Sequence, residues 1–352
     1  MGGIVMAGVA THNNKLKQLL AELTRRSRTA TTVQDLLEIT ELAARFNAPL
    51  VYRNQLQYVL AAVFVLAGAL LLFFQHQYYL YIRPSGWTGF TLLMTAAAGL
   101  LLFALSRNRS ISRLSNDIFT KNVLFDNQLK PLAEKDVANQ LLAAFLEFKR
   151  GNYSRKIEQL YQGHSASDNS SFSYYFYHFH YVDKRRETYT ESDGKGGTRI
   201  RTRTVYDHYH RYGICVPEFK NPAVMVYSHA PEHKLPAAYR PASNRFNNHY
   251  RVQSTDEMQA ARLMKPAVVI AFEDLYPILQ RPNVELQPDA GLCLSFNDNN
   301  LLLAKRQYSL QQPQLFRQEI AAHTPLDKLH QALHFIHHLA NHAAISLQDA
   351  RL

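Results

Sequence analysis

Residues 56–74 read Leu56-Gln-Tyr-Val-Leu-Ala-Ala-Val-Phe-Val-Leu-Ala-Gly-Ala-Leu-Leu-Leu-Phe-Phe74, and residues 87–105 read Trp87-Thr-Gly-Phe-Thr-Leu-Leu-Met-Thr-Ala-Ala-Ala-Gly-Leu-Leu-Leu-Phe-Ala-Leu105. Neither contains a charged residue. A run of this kind crosses the roughly 30 Å hydrocarbon core of a bilayer as a helix of about 20 residues, because a helix satisfies its own backbone hydrogen bonds. Residues 59–74 have no polar face with which to meet water, which argues against buried helices of a soluble core. The predicted fold is a membrane protein: a two-helix transmembrane hairpin over 54–106 that carries a soluble α+β domain built on an antiparallel sheet.

Between the uncharged stretches 54–82 and 84–106 stands a single charge, Arg83, with Tyr78, Tyr79, Tyr81 and Trp87 around it. Amphipathic rings favour the headgroup level, so this is the expected hairpin tip. No Gly-xxx-Gly pair lies within either span, which leaves Ala96, Ala97, Ala98 and Gly99 as the packing residues. Arg25, Arg26, Arg28, Arg45 and Arg53 precede the first span, and Arg107, Arg109 and Arg113 follow the second. The positive-inside rule therefore puts both chain ends and the soluble domain in the cytoplasm. The opening run 1–10 is too short, and lacks a preceding basic residue, to read as a signal peptide.

Composition agrees with an internal address. Cys215 and Cys293 are too few for a disulfide framework in 352 residues, and neither belongs to a Cys-x-x-Cys pair. The formal net charge of +11 calls for anionic partners, of which the anionic inner leaflet of the lipid bilayer is the nearest.

Outward from the hairpin, 1–53 reads as a helical segment. Leu16, Leu19, Leu20 and Leu23 recur at helical spacing, and Thr32 is placed to cap a helix over 33–46 with Asp35 in its first turn. Its stripe of Leu36, Ile39 and Phe46 is expected to pack within the protein. Residues 107–163 read as a helical stalk and the first helix of the soluble domain, with Pro131 opening a helix to Phe148 and Gly151 stopping it. Residues 164–308 form the α+β domain, and 309–352 the carboxy-terminal amphipathic helix.

Within the α+β domain, 172–182 and 198–212 read as aromatic strands of a hairpin whose turn, 193–197, is rich in glycine. Side chains alternate along a strand, so Arg199, Arg201 and Arg203 share one face, where they are expected to contact an anionic surface. Lipid is favoured over nucleic acid, and Glu187 and Glu191 lie close enough to pair with the arginines across the hairpin.

His178 and His180 share one strand face, as do His208 and His210. In adjacent strands the four imidazoles would come within metal-ligand reach, and imidazole suits zinc. Set against this is the ordinary role of structural histidines, with no helper carboxylate in view beyond Asp207, which points away from His208. A second group, His330, His334, His337, His338 and His342, lies along a helix over 326–344 beside its apolar stripe. Phosphate-loop, dinucleotide and nucleophile-elbow motifs are absent from the sequence.

Further expectations are a strand over 223–227, a capping box from Ser254 to Glu257, a helix beginning at Pro266, and a hairpin of 292–296 with 301–305 around Asn297-Asp-Asn-Asn300. The run 250–279, continued by 292–305, resembles the carboxy-terminal signature of a family of bacterial membrane proteins. The match is strongest over 250–305, on Ser254-Thr-Asp-Glu257, Lys265-Pro266 and Phe296-Asn-Asp-Asn299. That family has a two-helix hairpin and a cytoplasmic α+β domain, and its genes often lie beside those of LemA-like membrane proteins. The resemblance implies the bacterial inner membrane and supplies no reaction, hence no catalytic residue and no cofactor.

Two functions are compatible with this pattern. One is a membrane-tethered scaffold or adaptor that performs no catalysis and docks another membrane or envelope protein, a LemA-like one or a second copy of itself. The other is a metal-dependent enzyme or metal sensor, zinc being the implied ion, built on His178, His180, His208 and His210.

Overall fold

The two long apolar, uncharged runs, 56–74 and 87–105, are helical. The structure, a computed structural model, describes residues 2–46, 48–79, 84–192, 197–220, 222–342 and 346–347. Tyr81 and Arg83 of the hairpin tip, turn residues 193–196, and Ala343 and Ala344 at the end of the last expected helix lie outside the described residues.

In chain order the first elements are α1 (Gly2–Thr29), α2 (Val33–Ala44), α3 (Gln55–Tyr79), α4 (Pro84–Asp126), β1 (Lys130–Pro131), α5 (Lys135–Ala144) and a 3-10 turn (Leu146–Lys149). Three strands follow, β2 (Ser154–Ser167), β3 (Ser170–Ser192) and β4 (Thr198–Val216), and then β5 (Phe219–Lys220), β6 (Val224–Tyr227) and β7 (Ala237–Tyr239). Next come α6 (Asn244–His249), β8 (Arg251–Ser254), α7 (Glu257–Leu263), α8 (Pro266–Leu275), β9 (Asn283–Gln287) and β10 (Gly291–Phe296). The chain closes with α9 (Pro313–Ala321), α10 (Asp327–His342) and β11 (Ser346–Leu347). These elements form two units, 1–126 with 304–324, and 127–303 with 325–352.

The first unit is helical. α3 and α4 are long and apolar enough to cross a membrane, and 11% of each apolar window is buried within the protein. They pack against each other where side chains are small. Ala61, Ala97 and Ala104 are buried, and a Cβ added at Gly68 would stand 3.1 Å from the Phe90 ring. Gly99, expected at this contact, faces open space. α4 continues without a break past its apolar part, burying Ile111, Leu114, Ile118, Phe119 and Val123. α1 and α2 pack on this extension, and α2 also meets α9. Thr32 caps α2 through a reciprocal pair with Asp35.

The second unit is built on a nine-stranded antiparallel sheet of order β1-β2-β3-β4-β10-β9-β6-β8-β7. One face carries Leu160, Tyr177, Phe179, Tyr181, Cys215 and Cys293, covered by Leu141, Phe145 and Phe148 of α5 and the 3-10 turn. Part of the opposite face is covered by α10, which packs on β3 and on α8, where Phe272 and Phe335 meet edge to face at 5.0 Å.

The structure corrects four local expectations. Helix was expected from Pro131 to Phe148, but Pro131 sits in β1 and only 135–144 is α-helical. Residues 154–163, read with the stalk, begin β2. Ile157 and Leu160 stand three apart, a helical interval, because an extra residue, Glu158, bulges between them and leaves both on the core face. The α7 cap is Asp256, which accepts from the Met258 amide at 3.2 Å, while Ser254 donates to the Ala223 carbonyl at 2.9 Å. Finally, β10 pairs with β9 and β4 and not with 301–305. Both of its edges are already taken, so a further strand has nowhere to bind.

Candidate metal centre

Strand alternation decides which side chains meet here. Along β3, Tyr177, Phe179 and Tyr181 turn toward the core, with Phe148 ring centroids 4.8 Å from Tyr177 and 5.1 Å from Phe179. His178 and His180 are therefore driven to the opposite face. On β4 the register sets His210 opposite His180, His208 opposite Val182 and Tyr212 opposite His178, which places all four histidines on one face.

Their nitrogens come together in two pairs. His178 Nε2 lies 2.9 Å from His210 Nδ1, and His180 Nε2 lies 3.0 Å from His208 Nδ1. Rings stack as well: His180 on His208 at 5.2 Å and 8°, and His178 on Tyr212 at 4.4 Å and 11°. The bulge in β2 adds a carboxylate that was not recognised from the sequence. Glu158 Oε2 is 3.6 Å from His178 Nδ1, and its Oε1 is 3.4 Å from His180 Nδ1.

One ligand atom from each of Glu158, His178 and His210 lies within 4.8 Å of the other two, a group able to hold a metal ion. Tetrahedral ligands on zinc stand about 3.3 Å apart, given bonds of roughly 2.0–2.1 Å. The Glu158 side chain is 36% exposed, and reaching that spacing requires its carboxylate to turn inward. Burial pulls both His178 and His180 below the usual histidine value. Glu158 opposes the shift, and neighbouring imidazoles reinforce it. Neutral imidazole is the ligating form, so burial prepares the pair for a cation.

The arginine row is differently placed. Arg203 pairs with Glu187 at 2.7 Å and Arg201 with Glu191 at 2.7 Å, while Arg199 stands opposite Glu191 in the ladder. Arg201 and Arg203 thus face carboxylates across the hairpin. Asp207 is held by Arg185 at 2.6 Å, away from the histidines.

On α10 the second histidine group divides. His337 is buried, with Nδ1 2.6 Å from Ser170 Oγ and Nε2 2.9 Å from Ser165 Oγ. His330 and His334 line a cleft with Asp168 and Asn169, and His338 meets the Ala267 carbonyl at 3.2 Å. Among the described residues only the strand group converges within ligand distance.

Comparison with protein-family models, with curated proteins and with solved structures finds no match, so no residue takes a role from a relative.

Proposed function

We propose that this chain is a membrane-anchored metal-binding protein that holds one divalent transition-metal ion of zinc's class on Glu158, His178 and His210, with His180 and His208 adjoining. The convergence of these residues on one strand face carries the reading. α3 and α4 form its hairpin in a bacterial inner membrane, both chain ends are cytoplasmic, and the sheet unit meets the cytoplasmic metal pool. His208 and His210 are exposed on an open strand face, which favours reversible metal holding and sensing over catalysis in an enclosed cleft. Cobalt(II) titration of the detergent-purified protein tests the site. A visible d–d band that saturates near one ion per chain and disappears in His210→Ala is expected. A spectrum unchanged by that substitution would remove this site from consideration.

A second reading, docking of an envelope protein such as a LemA-like one, has one observation in its favour. β2 stops pairing with β3 at Val182, and β10 stops pairing with β4 at Tyr212, so among the described residues 183–192 and 198–207 have only each other as strand partners. Beyond Lys184, whose backbone the Asn152 side chain pairs, both edges of that ribbon are open to strand addition. Co-purification of the LemA-like protein, and its loss on replacing 184–206 with a short turn, would be the test.

A further inference from the structure

At the β7 edge of the sheet, far along the strand order from the histidines, lies a cavity of about 330 Å³, within the size range of small-molecule sites. Tyr227, Tyr239, Arg240, Asn247, Arg251 and Gln253 line it, and no carboxylate does. The register explains the gathering: Tyr227 stands opposite Arg251 across β6 and β8, and Tyr239 lies opposite Val252, one residue along from Gln253.

Two features of this lining bear on what it could hold. Arg240 and Arg251 form no ion pair among the described residues, although each carries a full positive charge. Arg251 is nonetheless positioned, because its Nη1 donates to the Tyr250 carbonyl at 2.8 Å and to that of Asn247. That leaves Nε and Nη2 for another acceptor. Gln253 supplies the second feature: its Oε1 is sealed from water and has no donor among the described residues. Buried acceptors are nearly always paired, so this oxygen marks a place where a donor belongs.

We propose that this cavity binds a small phosphate monoester bearing an N–H donor. Two guanidiniums without a carboxylate match the charge of a phosphate dianion, and their planar forks match its oxygens. A carboxylate or a phosphodiester, with one charge, would leave one arginine unneutralised. Gln253 Oε1 meets this donor once the side chain turns into the cavity, and the rings of Tyr227 and Tyr239 form the walls. The site is independent of the metal centre and stands whether or not that centre binds an ion.

Isothermal titration of the full-length, detergent-purified protein tests this with phosphoethanolamine, ethyl phosphate and glycerophosphoethanolamine. Phosphoethanolamine is expected to bind most tightly, and the diester, which represents a lipid headgroup, at least about tenfold more weakly. Arg240→Gln, at a side chain with no hydrogen bond or ion pair among the described residues, is expected to weaken both monoesters about tenfold or more. Arg251→Gln should do the same, and Gln253→Leu should remove the preference for phosphoethanolamine over ethyl phosphate while leaving the latter bound. Three results would overturn the proposal: no binding of either monoester at about 10 mM, equal binding of the diester, or undiminished binding by Arg240→Gln.

Discussion

Arg211 Nε donates to Glu147 Oε1 across 2.8 Å, and the two side chains are only 2% and 4% exposed. Arg150, equally buried, donates to the same carboxylate at 2.9 Å. The remaining Arg211 donors go to Ser295 Oγ, Asn297 Oδ1 and the Arg281 carbonyl. The cluster thereby ties the 3-10 turn to β4 and β10. Burial alone would raise the Glu147 pKa, but Arg211 and Arg150 outweigh it and hold the carboxyl at about 2.

Removing Arg211 leaves Glu147 to Arg150 alone and strips Ser295 Oγ, Asn297 Oδ1 and the Arg281 carbonyl of their buried donor. Arg211→Met is expected to destabilise the sheet unit by about 3–5 kcal/mol, measured by urea unfolding in detergent. A loss below about 1 kcal/mol would show that the pair is far more hydrated than its burial implies.

Acid should remove stability over two pH ranges. Burial, followed by the charges of Arg150, Arg211 and Arg281, lowers His229 from 6.5 to about 4. The unfolded chain therefore takes this proton first, and stability is lost as pH falls from 6.5 to about 4. For Glu147 the folded value is also the lower one, so its contribution is present above 4.5 and is lost as pH falls toward about 2. Thermal midpoints across this range should decline less steeply between pH 6.5 and 4 in His229→Asn. An identical slope in the variant would contradict the assignment.

Gly213 marks a close approach. A Cβ there would meet the Leu294 carbonyl oxygen at 2.3 Å and the Tyr177 hydroxyl at 2.4 Å. Gly213→Ala should destabilise by about 1–3 kcal/mol, whereas Gly99→Ala, with nothing within 4 Å, should be neutral or slightly stabilising. Equal effects at the two positions in the same unfolding assay would refute the packing described.

Cys215 and Cys293 stand opposite each other on β4 and β10, both reduced and buried, and the Tyr177 hydroxyl is 3.3 Å from Cys293 Sγ. Burial holds the Cys293 thiol above its usual range. Both should resist Ellman's reagent until denaturant is added. Immediate labelling of the native protein would show that this part of the core opens readily.

The parts of this fold that sequence reveals are those with an unbroken local pattern. The apolar runs over 56–74 and 87–105 have no counter-signal, and the Thr32 cap, the helix from Pro266 and the β3–β4 hairpin each follow from neighbouring residues. The histidine face was legible because β3 and β4 are sequential and their alternation is regular. Glu158 was not, since a bulge reverses alternation and gives Ile157 and Leu160 the spacing of a helix. The β9–β10 pairing was hidden for another reason. Asn283-Val-Glu-Leu-Gln287 looks too polar for a central strand, and only the distant amides of Leu146 and Glu147, donating to Glu285 at 2.7 and 2.9 Å, make it one.

The metal centre is tested most directly by elemental analysis after a chelator wash and reloading with zinc, comparing the parent protein with a His178→Ala/His210→Ala double variant. Expected is about one zinc ion per chain in the parent and none in the variant, with the Arg211–Glu147 core and its unfolding unchanged. A parent that retains no zinc, or a variant that retains as much as the parent, would contradict a metal site on this strand face.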